Sequence, residues 1–112
     1  MVSIYFVKRC EVSVLAQYPN KQIILAAQAD GLPLTDHFAP RSAVLEGCDR
    51  GMVIVRNHYL SVDPAQKGWM STAVNYASAT VGEPMKALAV GEIVESRLED
   101  FRVGEFVTGW FG

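Results

Sequence analysis

The chain has 112 residues, half of them hydrophobic and a fifth charged, and 10 Lys+Arg against 12 Asp+Glu leave a net charge of −2. This is the size of one globular domain with its own core, and 9 Gly with 5 Pro are too few for collagen-like or low-complexity sequence. The longest apolar run, residues 23–27, falls far short of the roughly 18 residues of a membrane helix, and beyond Lys8-Arg9 no basic cluster exists to neutralise phosphates, so neither membrane nor nucleic acid is an expected partner.

At the start of the chain, residues 1–7 are apolar and the charged pair Lys8-Arg9 follows them. A secretory signal has the opposite order. The expected location is therefore the cytoplasm, with Cys10 and Cys48 as reduced thiols, because their spacing fits no disulfide framework. Further along, short Val- and Ile-rich runs are broken every eight to twelve residues by Gly, Pro, Asn or Asp, which predicts a mainly β domain. Strands are expected at residues 21–27, 52–59, 88–96 and 105–110, with a weaker one at 42–46. Residues 30–33, 47–51 and 81–84 read as turns or loops from their Gly and Pro content. Asp63-Pro64 is a helix start, since Asp can cap an N-terminus and Pro is pre-set for the first position, and a short helix over 64–70 follows. Gly91 inside an apparent strand predicts a bulge, a barrel corner or a close backbone approach. Gly104 marks the turn before the last strand. Short strands, such glycines and long loops favour a small, partly open β-barrel with one or two short helices over a sandwich.

Chemistry-bearing motifs are few. No three glycines have the Gly-x-Gly-x-x-Gly spacing of a dinucleotide site, and Lys67 precedes Gly68 in the order opposite to a phosphate loop. Cys10, Cys48, His37 and His58 lie too far apart in sequence to form a metal motif, so no metal is expected. His37 falls in a loop and His58 in an alternating strand, where a satisfied or solvent-facing imidazole is the simpler reading. Glu11, Glu92, Glu95, Glu99 and Asp100 show no paired-carboxylate arrangement and read as charged strand faces. Trp69, Met70 and Tyr76 cluster in and after the short helix, and spacing alone makes them packing residues.

The stretch Leu60-Ser61-Val62-Asp63-Pro64-Ala65-Gln66-Lys67-Gly68-Trp69-Met70 resembles the Leu-Ser-Val/Leu-Asp-Pro-x-x-Arg-Gly-x-Met element of the zinc-independent medium-chain dehydrogenase/reductase superfamily. The branch it is most similar to is that of the NADP-dependent enone and alkenal reductases, which includes leukotriene B4 dehydrogenase, prostaglandin reductases and curcumin reductase. Residues 20–26 are similar to the family's first strand, and residues 81–91 to its Gly-Glu-x-Met loop with the following strand. Ser96 with residues 101–109 is similar to the run that closes the barrel. The resemblance covers residues 20–112.

It implies a GroES-like, partly open β-barrel forming one wall of an active-site cleft. In the family a Rossmann domain binds NADP(H), and such a domain is expected to be absent from these 112 residues, so the chain alone is expected neither to bind the cofactor nor to turn over. Tyr76 falls where curcumin-reductase-like members place a substrate-facing Tyr, whose phenol can donate to an enone oxygen, and Met70 and Trp69 would line the same wall. The implied substrate is a small enone, alkenal or quinone, and a homodimer is one open assembly. Two departures bear on substrate choice: Ala65 stands where many members have Tyr, and Lys67 replaces Arg, a point charge in place of a planar bidentate donor. Residues 1–19 lie outside the pattern, as a disordered leader or an added hairpin. The rival readings are a non-catalytic barrel serving as an interaction or assembly module, because fold does not fix function, or a remnant of such a reductase.

Overall fold

The computed structural model describes residues 2–4, 16–72 and 78–112. Among the described residues the strands are β1 (Val2–Ile4), β2 (Gln17–Leu25), β3 (Phe38–Glu46), β4 (Val53–Leu60), β5 (Ala89–Ser96) and β6 (Phe106–Gly109), and the one α-helix, α1, is Pro64–Trp69. The strands form two antiparallel sheets without a closed barrel, with strand order β1-β4-β5-β6 in the larger and β2-β3 in the smaller. The mainly β architecture and the short helix after Asp63 are as the sequence predicts.

The differences lie in the smaller sheet and at the chain start. β2 begins at Gln17 rather than near Lys21, and β3 extends back to Phe38, so the two pair from Gln17↔Glu46 to Leu25↔Phe38. Pro19 and Pro40 both lie within this ladder. A two-stranded sheet has two open edges, toward which proline's missing N–H can point without breaking the pairing. Tyr18 draws the early part of β2 inward, packing against the buried pair Cys48 and Ile54. Val2–Ile4 pair with Arg56, Val55 and Ile54 of β4, while residues 5–15 of the leader, with Cys10, lie outside the described residues. The predicted loop at 81–84 runs alongside β2. Gly82 N–H donates to the Leu25 carbonyl at 2.8 Å, and Met85 N–H to the Ile23 carbonyl at 2.9 Å.

Buried side chains form three small clusters. Leu25, Ala29, Trp69, Met70 and Ala79 gather around the end of α1; Cys48 and Ile54 lie between the sheets; Val53, Val55 and Ile93 lie on the opposite face of the larger sheet. Strict alternation along β4 therefore sends Ile54 to one core and its two neighbours to another.

Gly91 is where β5 comes closest to β4. A Cβ added there would stand 2.5 Å from both the Arg56 carbonyl oxygen and Val55 Cγ1, and the register of the two strands shifts between Asn57 and Tyr59, just beyond the Asn57↔Gly91 pair. Of the three meanings a strand glycine can carry, close backbone approach is observed at Gly91 itself, and a bulge-like register shift lies directly beside it. Gly104 has φ 91° and turns the chain into β6, a conformation that costs most side chains about 1 kcal/mol or more.

The sheets are tied by one carboxylate. Glu95 on β5 pairs with Ile54 and so points toward the smaller sheet. Its Oε2 accepts the Tyr18 hydroxyl at 2.8 Å, and its Oε1 accepts the Cys48 amide at 3.0 Å and the Cys48 thiol at 3.3 Å. Burial by itself would raise the Glu95 pKa, yet the bonds from Tyr18 and Cys48 together with the Arg97 charge hold it below the usual glutamate range. The Cys48 thiol is pushed up to about 11 by burial first and by Glu95 second, and the Tyr18 phenol is raised chiefly by its bond to Glu95. The expectation of Glu95 as one more solvated strand charge is thus corrected, since an inward strand position requires donors for each oxygen.

Two outcomes follow for stability. Because the folded-state pKa of Glu95 is depressed, its contribution is present above the ordinary glutamate range and is lost as pH falls through the folded value. Glu95→Gln should cost about 1–2 kcal/mol at neutral pH and flatten the acid limb of a denaturant-midpoint profile; an unchanged acid limb would show that another group carries it. Gly91→Ala should cost about 1–3 kcal/mol by overpacking, measured by urea unfolding, with the slope unchanged.

Candidate functional site

The site is built around α1. Asp63 precedes it in extended conformation and Pro64 opens it. Gln66 reaches back so that its Oε1 accepts the Asp63 amide at 2.8 Å, while its Nε2 donates to the Lys86 carbonyl at 2.9 Å. One side chain thus satisfies the helix start and fastens the helix to the loop segment leading into β5. Lys67 and Ala65, the two departures from the family element, are exposed.

At the other end of α1 the sequence-singled residues part company. Met70 is 2% exposed and packs in the cluster with Leu25, Ala29 and Ala79, flanked by Phe38 and Met85. Trp69 is 7% exposed, and its ring meets that of Trp110 with centroids 5.5 Å apart and planes tilted by 58°, the tilted arrangement aromatic pairs favour. Tyr76 lies outside the described residues.

Trp110, just past β6, is the residue that sequence reading overlooked. It is 55% exposed and lines a cavity of about 400 Å³ together with Val53, Val55, Phe101, Val107 and Phe111. The cavity lies along the sheet face that carries Val53 and Val55. Gly109 keeps its rim open, since a Cβ there would touch the Phe111 ring at 3.0 Å. Among the described residues no titratable side chain lines this space, so what it offers a ligand is shape and aromatic faces. Its volume lies within the range of small-molecule sites. The signal for Trp110 in the sequence was only an aromatic at the end of a strand, which does not distinguish a cavity wall from a surface residue.

The remaining candidates do not converge. His58 Nε2 stands 3.6 Å from Glu92 Oε2, and its ring lies 5.4 Å from Phe106 on the outer face of the larger sheet. His37 Nδ1 accepts the Leu34 amide at 2.8 Å, a turn-stabilising bond. Among the described residues no three His, Cys, Asp or Glu side chains group so as to hold a metal ion, and no helix is long and apolar enough to cross a membrane. The described residues also do not fit a dinucleotide. No glycine-rich turn leads from a strand into a helix, and α1, with six residues, begins at the acidic Asp63, the wrong charge beside a pyrophosphate.

Comparison with known proteins agrees with this geometry. Residues 21–112 match a family model described as the N-terminal domain of oxidoreductase. The NADPH-dependent curcumin reductase of Escherichia coli (strain K12) is 31% identical over 94 residues, covering 83% of this chain and 27% of that protein. The NADP-dependent oxidoreductase RED1 of Cochliobolus heterostrophus is 30% identical over 99 residues, covering 82% of this chain and 28% of that protein. The crystal structure of CurA from Vibrio vulnificus superposes with a TM-score of 0.79 at 33% identity, covering 85% of this chain and 28% of that one. The chain therefore spans between a quarter and a third of the length of these relatives. With 92 consecutive residues matched and the fold shared, the chain belongs to the family of oxidoreductase N-terminal domains.

Proposed function

We propose that this domain is the substrate-side part of an NADP-dependent oxidoreductase that reduces α,β-unsaturated carbonyls or quinones. The observation that supports it is the likeness, over more than four-fifths of the chain, to an NADPH-dependent curcumin reductase. The site agrees in kind: an apolar, aromatic-lined cavity beside Trp69 and Trp110, without charges, suits a flat conjugated molecule. In this reading Trp69 backs the wall through Trp110, Met70 packs beneath it, and Tyr76 donates a hydrogen bond to the substrate carbonyl oxygen, where negative charge builds during reduction. The protein's part is binding, orientation and exclusion of water, since the reduction itself is a property of the cofactor.

Because the described residues do not fit a dinucleotide, these 112 residues are expected to show no saturable NADPH binding by isothermal titration. Micromolar binding with a stoichiometry of one would sink the division of labour proposed. Protein purified without chelator is likewise expected to hold no stoichiometric zinc by elemental analysis. Joined to the cofactor domain of a relative, the chain should regain turnover of an enone, and Tyr76→Phe there should lower kcat by about 10- to 1000-fold, the scale of one lost oxyanion donor. Equal turnover by the Phe variant would remove Tyr76 from the site.

A further inference from the structure

We infer that Asp30 is a positioning residue for the proposed substrate wall: its carboxylate pins Thr72, fixes the chain leaving α1, and thereby holds Trp69 in its contact with Trp110. The inference rests on the reading of Trp69 as part of that wall.

A helix of six residues has too few internal bonds to fix its own C-terminal end. Here the end is held from outside. The Trp69 carbonyl accepts the Ala79 amide at 2.7 Å, and the Met70 carbonyl accepts the Ala29 amide at 2.9 Å. Two residues on, Asp30 Oδ1 accepts both the Thr72 amide at 2.7 Å and the Thr72 hydroxyl at 2.8 Å. Neighbouring residues 29 and 30 therefore grip residues 70 and 72, and the grip has its own anchorage, since the Ala26 amide donates to the His37 carbonyl at 2.8 Å.

The Asp30–Thr72 bonds are of the charge-assisted, stronger kind. The Thr72 amide and hydroxyl hold the Asp30 carboxyl below the usual carboxylate range. The side chain is exposed, so burial does not explain an acid at this place. The bonds to Thr72 bridge 42 positions in sequence, and Thr72 is only three residues from Trp69. The lever from Asp30 to the indole is short.

Trp69 and Trp110 are the only 2 tryptophans in the chain, so an exciton couplet in the far-ultraviolet circular dichroism reports their mutual geometry. Asp30→Ala should weaken this couplet by roughly twofold or more, as expected when a fixed tilted pair loosens, with cooperative thermal unfolding retained. Thr72→Ser, which keeps both donors, should leave it intact, and Asp30→Asn, which keeps an acceptor oxygen without the charge, should fall between. If Asp30→Ala does not fold, Asp30→Asn carries the test alone. An unchanged couplet in the folded Asp30 variant overturns the inference. Titration of benzylideneacetone against tryptophan fluorescence supplies the second arm. Saturable quenching of the unaltered chain, weakened by Asp30→Ala, supports both readings. Absence of quenching in the unaltered chain counts against the wall itself, while the couplet still decides the role of Asp30.

Discussion

The way the two sheets face one another is set by the bonds of the Glu95 carboxylate. Among the described residues the sheets share no strand, and the smaller contains only β2 and β3. An apolar contact between them exists, in Cys48 and Ile54 with Tyr18 and Leu45 around them, but two fully buried side chains set no unique alignment. Glu95 adds direction. Its oxygens fix the Tyr18 hydroxyl on one side and the Cys48 amide on the other, and a carboxylate taken partly from water tolerates little departure from such geometry. The Cys48 thiol beside it is pushed up by burial first and by Glu95 second, which favours its protonated form.

The site end of the molecule is organised on the opposite principle. α1 is short and draws its stability from groups borrowed from elsewhere: Gln66 reaching to Lys86, Ala29 and Ala79 capping its last carbonyls, and Asp30 holding Thr72. Packing below, through Met70 and Leu25, supplies the floor. Aromatic contact above, through Trp110, joins the helix to the cavity along β6. A wall assembled from several chain segments can vary in shape through any one of them, which is how one fold accommodates many substrates.

Much of this was legible in the sequence. Asp63-Pro64 and the glycine at 91 carry strong local chemistry, a helix start and a missing Cβ, and both mean in the structure what they mean locally. Strand existence was legible from apolar spacing, while the half of β3 before residue 42 was hidden, because Pro40 lacks a strand N–H and fits the ladder only once the open edges of a two-stranded sheet are known. Glu95 was misread for a different reason. Its donors come from positions 77 and 47 residues away in sequence, and nothing local distinguishes an inward glutamate with three donors from an outward one. Trp110 was likewise invisible as a site residue, since its partner Trp69 and the cavity exist only after β6 is placed beside β5. The family element around Asp63 located α1, and the Asp30–Thr72 contact, which lies outside that element, had no sequence signature.

The division of the interior into three small clusters has a consequence for how the domain breathes. β4 and β5 each contribute to two of the clusters, Ile54 and Val94 to one, Val53, Val55 and Ile93 to the other. The amides of their buried stretches are shielded from two sides, so these strands should exchange more slowly than the rest of the described residues. The cluster holding Trp69 and Met70 shares no buried residue with either. It can loosen by itself, and the free energy of that local opening, rather than of global unfolding, governs how readily the end of α1 reshapes around whatever is bound beside it.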